Sequence, residues 1–167
     1  MRRAGKVLHD GTWPADKQVG TVTLAYIDRH RRRIVLADDM GLDFLLDLPD
    51  AVALGHGDGL ALDDGGVIKV MAANEDVADI ACADPVHFAR IAWHLGNRHL
   101  PVQIVGQDRL RIRDDHVIVE MLKGLNAEIR TIRAPFDPEG GAYAGGGGHS
   151  HAHGHDHHHE HGHDHEH

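Results

Sequence analysis

The 167-residue chain contains a single cysteine, Cys82, and a single serine, Ser150. One cysteine excludes an intramolecular disulfide, and a small protein without covalent staples fits a reducing compartment, so a cytoplasmic location is expected. The lone serine lies among histidines near the end of the chain, which leaves the folded part without a serine nucleophile. Nowhere do 18 apolar residues run together, so no membrane-spanning helix is expected. Met1 to Asp10 carries charge with no apolar stretch behind it, and no export signal is expected. The G-x-x-x-x-G-K-[ST] loop is also absent, which excludes a P-loop nucleotidase.

Positive charge is scarce. Of the net charge of −9, Asp156, Glu160, Asp164 and Glu166 contribute −4 in a terminal segment without Lys or Arg, leaving −5 for the rest. Neither part has the basic surface of a nucleic-acid binder. The one basic cluster, Arg29, Arg31, Arg32 and Arg33, runs into Ile34-Val35-Leu36 with strand-like alternation and reads as a solvated strand end.

What is present is a body with 41% apolar composition, enough for one or two small cores, followed by a polar tail. From Val19 to Leu48 the pattern is one of short strands: Val22, Leu24 and Tyr26, then Ile34 and Leu36, then Phe44, Leu46 and Leu48. Glycine-rich turns follow at 55–59 and 63–66, and Val67-Ile68-Lys69-Val70 makes a last strand. Residues 1–72 therefore form an expected all-β domain.

The texture then changes. The apolar run Val77 to Ala83 precedes Asp84-Pro85, an N-cap followed by proline in the first helical position. Phe88, Ile91, Ala92 and Leu95 recur at helical spacing, with His87, Arg90, His94 and Asn97 placed off that stripe. Two strands, Val102–Val105 and Leu110–Ile112, flank the turn Gly106-Gln107-Asp108. Asp114 or Asp115 caps a second helix that buries Val117, Met121, Leu122 and Leu125. A strand over Ala127 to Arg133 completes the order βαββαβ, the ferredoxin-like arrangement. The fold class is thus α+β, with a ferredoxin-like domain over residues 73–134. Beyond Arg133, residues 135–148 read as a Gly/Pro linker, and 149–167 as a disordered tail without apolar residues to bury.

Eleven of the last nineteen residues are histidine: His149, His151, His153, His155, His157, His158, His159, His161, His163, His165 and His167. Neutral imidazole suits Ni²⁺, Cu²⁺ and Zn²⁺, the interspersed carboxylates can add oxygen ligands, and the small residues let the chain wrap. At three or four imidazoles per ion the tail holds roughly three ions. His159-Glu160-His161-Gly162-His163 satisfies the H-E-x-x-H pattern of zinc proteases, but that chemistry needs a helix presenting both histidines on one buried face. A polar tail with Gly162 inside the motif does not supply one, so no enzyme activity is expected. The body carries His9, His30, His56, His87, His94, His99 and His116, most of them read as bystanders.

The stretch Trp93-His94-Leu95-Gly96-Asn97-Arg98-His99-Leu100-Pro101-Val102-Gln103-Ile104, with Asp115-His116-Val117 and Met121-Leu122 after it, resembles the UreE family of urease accessory proteins. The resemblance covers the whole chain: β-rich half, ferredoxin-like half and histidine tail stand in the family's order. It implies an N-terminal domain used for protein contacts and a C-terminal domain that pairs into a homodimer. It also implies that His99 binds nickel at the dimer interface with its symmetry mate, and that the ion passes through a UreG-like accessory GTPase to the urease apoprotein complex. His116 matches a secondary metal-binding histidine of some members, although this chain has Asp114 where they carry a further histidine. Nickel comes from the resemblance alone, since the general affinity order favours Cu²⁺. The competing reading of the tail is divalent-metal storage or detoxification.

Overall fold

The computed structural model describes residues 1–140, in which ten strands and two α-helices form two sheets. The first sheet takes β1 (Arg2–Leu8), β2 (Gln18–Leu24), β3 (His30–Ala37), β4 (Asp43–Ala53), β5 (Gly59–Leu62) and β6 (Val67–Ala72), in the order β2-β6-β5-β1-β4-β3. Alternation along β4 turns Phe44, Leu46 and Leu48 inward, where they meet Val22, Leu60, Ile68 and Val70 in one buried cluster. β1 and β5 were not expected from the sequence. Arg2, Arg3 and Lys6 mask β1 as a polar stretch, yet it lies between β4 and β5 and buries Ala4 completely. Tyr26, expected on a strand, belongs to a 3-10 turn at Tyr26–Asp28.

The second sheet follows directly. β7 (Asn74–Ala81), α1 (Pro85–Gly96), β8 (Gln103–Ile104), β9 (Arg109–Arg113), α2 (His116–Gly124) and β10 (Glu128–Pro135) give the order β10-β7-β9-β8, antiparallel throughout. This is the βαββαβ topology of a ferredoxin-like fold. Ile91 and Leu95 of α1 and Val119 and Leu122 of α2 pack with Ala78, Ile80, Leu110 and Ile112. Asp84 caps α1 by accepting the His87 N–H at 2.8 Å, with Pro85 at the first helical position.

Three side chains depart from the expected faces. His87 is buried, because residues 87, 91 and 95 stand four apart and share one stripe. Its Nδ1 accepts from the Ala83 N–H at 3.0 Å and its Nε2 donates to the Leu125 carbonyl at 2.9 Å, which fixes a neutral tautomer tying the two helices together. Val117 is 62% exposed, whereas Val119 is buried. With Asp115 as the cap, the face at 119 and 122 meets the sheet and 117 points away. Arg29, read as part of a solvated strand end, is 2% exposed.

Arg29 is buried because the chain does not leave the fold after Arg133. β10 continues to Pro135, Phe136 is fully buried beside Val77 and Ala134, and its ring meets Tyr26 edge-on at 5.2 Å. Arg29 Nη2 donates to the Phe136 carbonyl, and Nη1 reaches Asp137 Oδ1 at 2.6 Å and the Leu54 carbonyl at 3.3 Å. Asp137 also accepts the His56 N–H at 3.2 Å and donates its own N–H to Gln103 Oε1 at 3.0 Å. One further step on, Glu139 N–H donates to the Val102 carbonyl at 2.8 Å. The first residues of the expected linker are therefore a strap between the two domains. Arg29→Met should lower stability by about 2–3 kcal/mol, less than for a fully buried pair because Asp137 is about one third exposed. Urea denaturation should show a lower midpoint with an unchanged slope.

At the far end of β3, Asp38 and Asp39 brace the turn into β4. The Leu42 N–H holds the Asp38 carboxyl below its ordinary value against the opposing effect of burial, with help from Arg2 and the Met40 N–H. Burial pushes Asp39 up, but hydrogen bonds from the Thr21 and Thr23 hydroxyls and the Thr23 N–H outweigh it. Both groups lose protons more readily folded than unfolded. Their stabilisation is thus present above the ordinary carboxylate value of about 4 and is lost as pH falls through the lower folded-state values. Stability measured from pH 6 to 2 should fall below pH 4, and Asp38→Asn should flatten that slope.

Candidate metal centre

The C-terminal turn of α1 builds the candidate site. Leu100 N–H returns to the Leu95 carbonyl at 3.4 Å and His99 N–H to the Gly96 carbonyl at 2.9 Å, the bond pair of a Schellman turn. That geometry requires a left-handed residue in the position where glycine is usual, and His99 occupies it with φ of 54°. Leu100, half-buried, packs against the second core together with Leu95 and anchors the turn, while His99 itself is exposed. α2 ends in the same way. Asn126 N–H bonds the Lys123 carbonyl at 2.9 Å, Ala127 N–H bonds the Leu122 carbonyl at 3.1 Å, and Asn126 has φ of 61°. Asparagine and histidine both enter this region more readily than most side chains, yet each is less favoured there than glycine.

His116 opens α2 on the exposed surface, directly after Asp115, whose carboxylate accepts the Val117 and Ile118 N–H groups at 2.9 and 3.2 Å. Capping fixes where this imidazole begins but supplies no neighbour for it. Among the described residues, no three His, Cys, Asp or Glu side chains gather closely enough to hold a metal ion. A full shell at His99 or His116 would need ligands from another chain or from residues beyond 140. The eleven tail histidines, 149–167, lie outside the described residues. Cys82 does not offer itself as a thiolate: burial pushes its thiol above the ordinary 9.0, with the Asp108 and Asp84 carboxylates adding to the shift. Nor is His87 free to bind, since both its nitrogens are engaged with backbone.

Two large apolar side chains stand out near these histidines. Trp93, 63% exposed on α1 and edge-on to His94 at 5.0 Å, precedes the His99 turn, and Val117, 62% exposed, follows His116. Sequence reasoning placed Val117 in the core and missed the strap residues Phe136 and Asp137. Its one available signal was Phe136 itself, a large apolar residue inside a segment otherwise read as linker.

A β domain followed by a ferredoxin-like domain, with an exposed histidine on a strained turn, matches two known modules in order. Residues 2–73 match the family model "UreE urease accessory protein, N-terminal domain" and residues 75–167 match "UreE urease accessory protein, C-terminal domain". The two together define a two-domain urease accessory protein. A Urease accessory protein UreE from Beijerinckia indica is 54% identical over 145 residues, covering 87% of this chain and 83% of that protein. One from Bradyrhizobium is 54% identical over 144 residues, covering 86% and 68%. A third, from Chelativorans, is 52% identical over 128 residues, covering 77% and 80%. The chain belongs to the UreE family of urease accessory proteins. Among the described residues no helix is long and apolar enough to cross a membrane.

The His99 conformation carries a stability cost that the free protein can report. His99→Gly should raise the stability of the metal-free protein by about 1 kcal/mol, since the left-handed penalty disappears and an exposed imidazole leaves little packing behind. His99→Val should lower it, because a β-branched residue fits this backbone worse. Thermal and urea denaturation of the three proteins side by side would read both changes.

Proposed function

We propose that the chain is a cytoplasmic nickel metallochaperone that acts as a homodimer, without enzyme activity of its own, and delivers Ni²⁺ for assembly of the urease active site. The observation that carries this reading is His99, exposed and held in a backbone conformation that costs stability. Such strain is characteristic of residues kept for function. A two-fold axis through this surface turns one histidine per chain into two ligands, and the exposed Trp93 and Val117 supply apolar area for such a contact. Two imidazoles leave coordination positions open, so a recipient can complete the shell and withdraw the ion. The tail histidines, His149 to His167, serve as the reservoir and add ligands at the His99 site, with His116 as a secondary ligand. Zn²⁺ and Cu²⁺ also suit this donor set. The receiving partners are a UreG-like accessory GTPase and the urease apoprotein complex.

Capacity and transfer separate experimentally. His99→Ala should damage urease activation at limiting nickel more than removal of residues 149–167, because tail ligands are numerous and interchangeable whereas His99 is not. Urease activity in cells across a nickel series would decide, with the dimer checked by light scattering. Should His99→Ala dimers activate urease normally while the truncated chain fails, the tail is the delivery element. Should neither change matter for urease while the truncated chain loses metal tolerance, storage is the better reading. Bound metal should also leave as pH falls through about 6.5 and below, since imidazole must be neutral to coordinate.

A further inference from the structure

The helices cover one face of the second sheet and leave the other rich in arginine. Ala78 and Ile80 of β7 and Leu110 and Ile112 of β9 turn toward the helices, so alternation sends Asp79, Ala81, Arg109, Arg111 and Arg113 to the opposite side. Across the pairing of β7 with β10, Glu128, Arg130 and Ile132 share that side. Beyond Pro135 the chain turns back over one end of this face. Phe136 packs on Val77, the Pro135 carbonyl accepts from Arg111 Nη1 at 3.0 Å, and Asp137 and Glu139 reach Gln103 and Val102 at the β8 edge. The other end stays open as a hollow of about 260 Å³, floored by Ala81, whose cross-strand neighbours Arg109 and Glu128 have much longer side chains.

The charges of this hollow do not balance. Arg111 forks both oxygens of buried Asp79, Nε to Oδ1 at 2.6 Å and Nη2 to Oδ2 at 3.1 Å, and neutralises it. Arg109 and Arg130 are exposed, and neither forms an ion pair among the described residues. Glu128 on the rim offsets one of them, which leaves one net positive charge. Charged side chains commonly guard a sheet edge, and that accounts for Arg130 on β10. It does not account for Arg109, because β9 lies inside the sheet between β7 and β8.

We propose that this hollow receives a glutamate or aspartate side chain from an acidic segment of a partner protein. Every basic residue of the face is arginine, whose planar fork suits a carboxylate. One net positive charge matches a carboxylate and falls short of a phosphate ester, which carries about −1.5 to −2. A nucleic acid is disfavoured by the same count and by the chain's net charge of −9. Ion pairs this exposed contribute too little to retain a free carboxylate ion, so the acid must arrive with further contacts. Ala81 and half-buried Ile132 offer apolar surface for its neighbours. This contact goes beyond the proposed nickel delivery and does not rest on it.

The test uses the full-length, metal-free protein at about pH 7.5, where most imidazoles are neutral and do not attract acid. The probe is a fluorescein-labelled peptide of alternating glutamate and valine, with its glutamine counterpart as the control. Anisotropy reads binding, and backbone amide resonances of the labelled protein locate it. The glutamate peptide should bind and shift the Ala81, Arg109 and Arg130 amides, and the glutamine peptide should do neither. Arg109→Gln and Arg130→Gln should each weaken binding by about fivefold, the upper range for an exposed ion pair. Glu128→Gln should tighten it by about twofold, since it removes a carboxylate that repels the incoming one. All three side chains are exposed, so thermal midpoints should stay unchanged. Failure of the glutamate peptide to bind, or binding that ignores all three substitutions, would overturn the proposal. So would displacement of the peptide by inorganic phosphate at concentrations where acetate has no effect, which would make the hollow a phosphate site. Amide shifts that follow protein dilution without peptide would also overturn it, by giving the face to a second copy of the chain. With no metal present, none of these outcomes bears on nickel delivery.

Discussion

A guanidinium sealed from water is tolerable only with compensation, because withdrawing a charge from solvent costs several kcal/mol. Arg29 meets this demand at the junction of the two sheets. Of its acceptors, Leu54 belongs to its own domain, but the Phe136 carbonyl and the Asp137 carboxylate lie 107 and 108 positions further along the chain. Tyr26 closes one side, with the Arg29 guanidinium 5.7 Å from its ring centroid. Arg29 Nε, buried without an acceptor among the described residues, indicates that the arrangement is held by the carboxylate and the carbonyls rather than by complete satisfaction of the fork. The β domain therefore has a charge that its own residues do not neutralise. Asp137 then extends the effect. Its carboxylate accepts from Arg29 and His56 while its N–H donates to Gln103, so one residue joins the β domain to the strand that follows the His99 turn. The strap, and with it the position from which residues beyond 140 depart, follows from that single buried cation.

Local rules were legible in the sequence wherever a single segment decides its own structure. Asp84-Pro85 announced α1, Asp115 was among the candidate caps of α2, and alternation over Phe44, Leu46 and Leu48 gave β4 its inward face. What escaped was decided at a distance. β1 is polar in sequence because only its neighbours in the sheet make it a strand. Arg29 looked like a solvated charge because its counter-charge is 108 residues away. Phe136 was lost in a Pro/Gly segment because composition over a window averages away one residue, although that residue is fully buried. His87 was assigned to the polar face by residue type, and the 87-91-95 spacing overrode that assignment once both ring nitrogens found backbone partners.

The candidate site divides in the same way. The Gly-Asn-Arg-His run was visible as a match to a family, but its physical content was not, since a sequence does not print a left-handed backbone. The two helix ends make that content plain. Both finish in the same turn, and at α2 the left-handed position is given to asparagine, a residue that tolerates it. At α1 the corresponding position carries an exposed histidine, which like asparagine enters this region more readily than most side chains and less readily than glycine. Leu95 and Leu100 hold the turn from the core side, so the conformation is imposed on His99 by its neighbours and is not chosen by it.

A histidine whose backbone is held this way starts with part of its freedom already removed. A ligand whose backbone is not already fixed must be ordered each time it binds, and that entropy opposes every transfer. A histidine whose backbone is fixed by a hydrogen-bonded helix end has met the backbone part of that cost during folding, and what remains at binding is side-chain ordering, desolvation and coordination. Numerous interchangeable ligands favour capture from solution, whereas a single ligand on a fixed backbone favours hand-over to a partner that arrives with its own donors. On the proposed reading these tasks fall to different parts of one chain. The strap bears on the His99 side of this division, since Glu139 N–H donates to the carbonyl of Val102, three positions after His99.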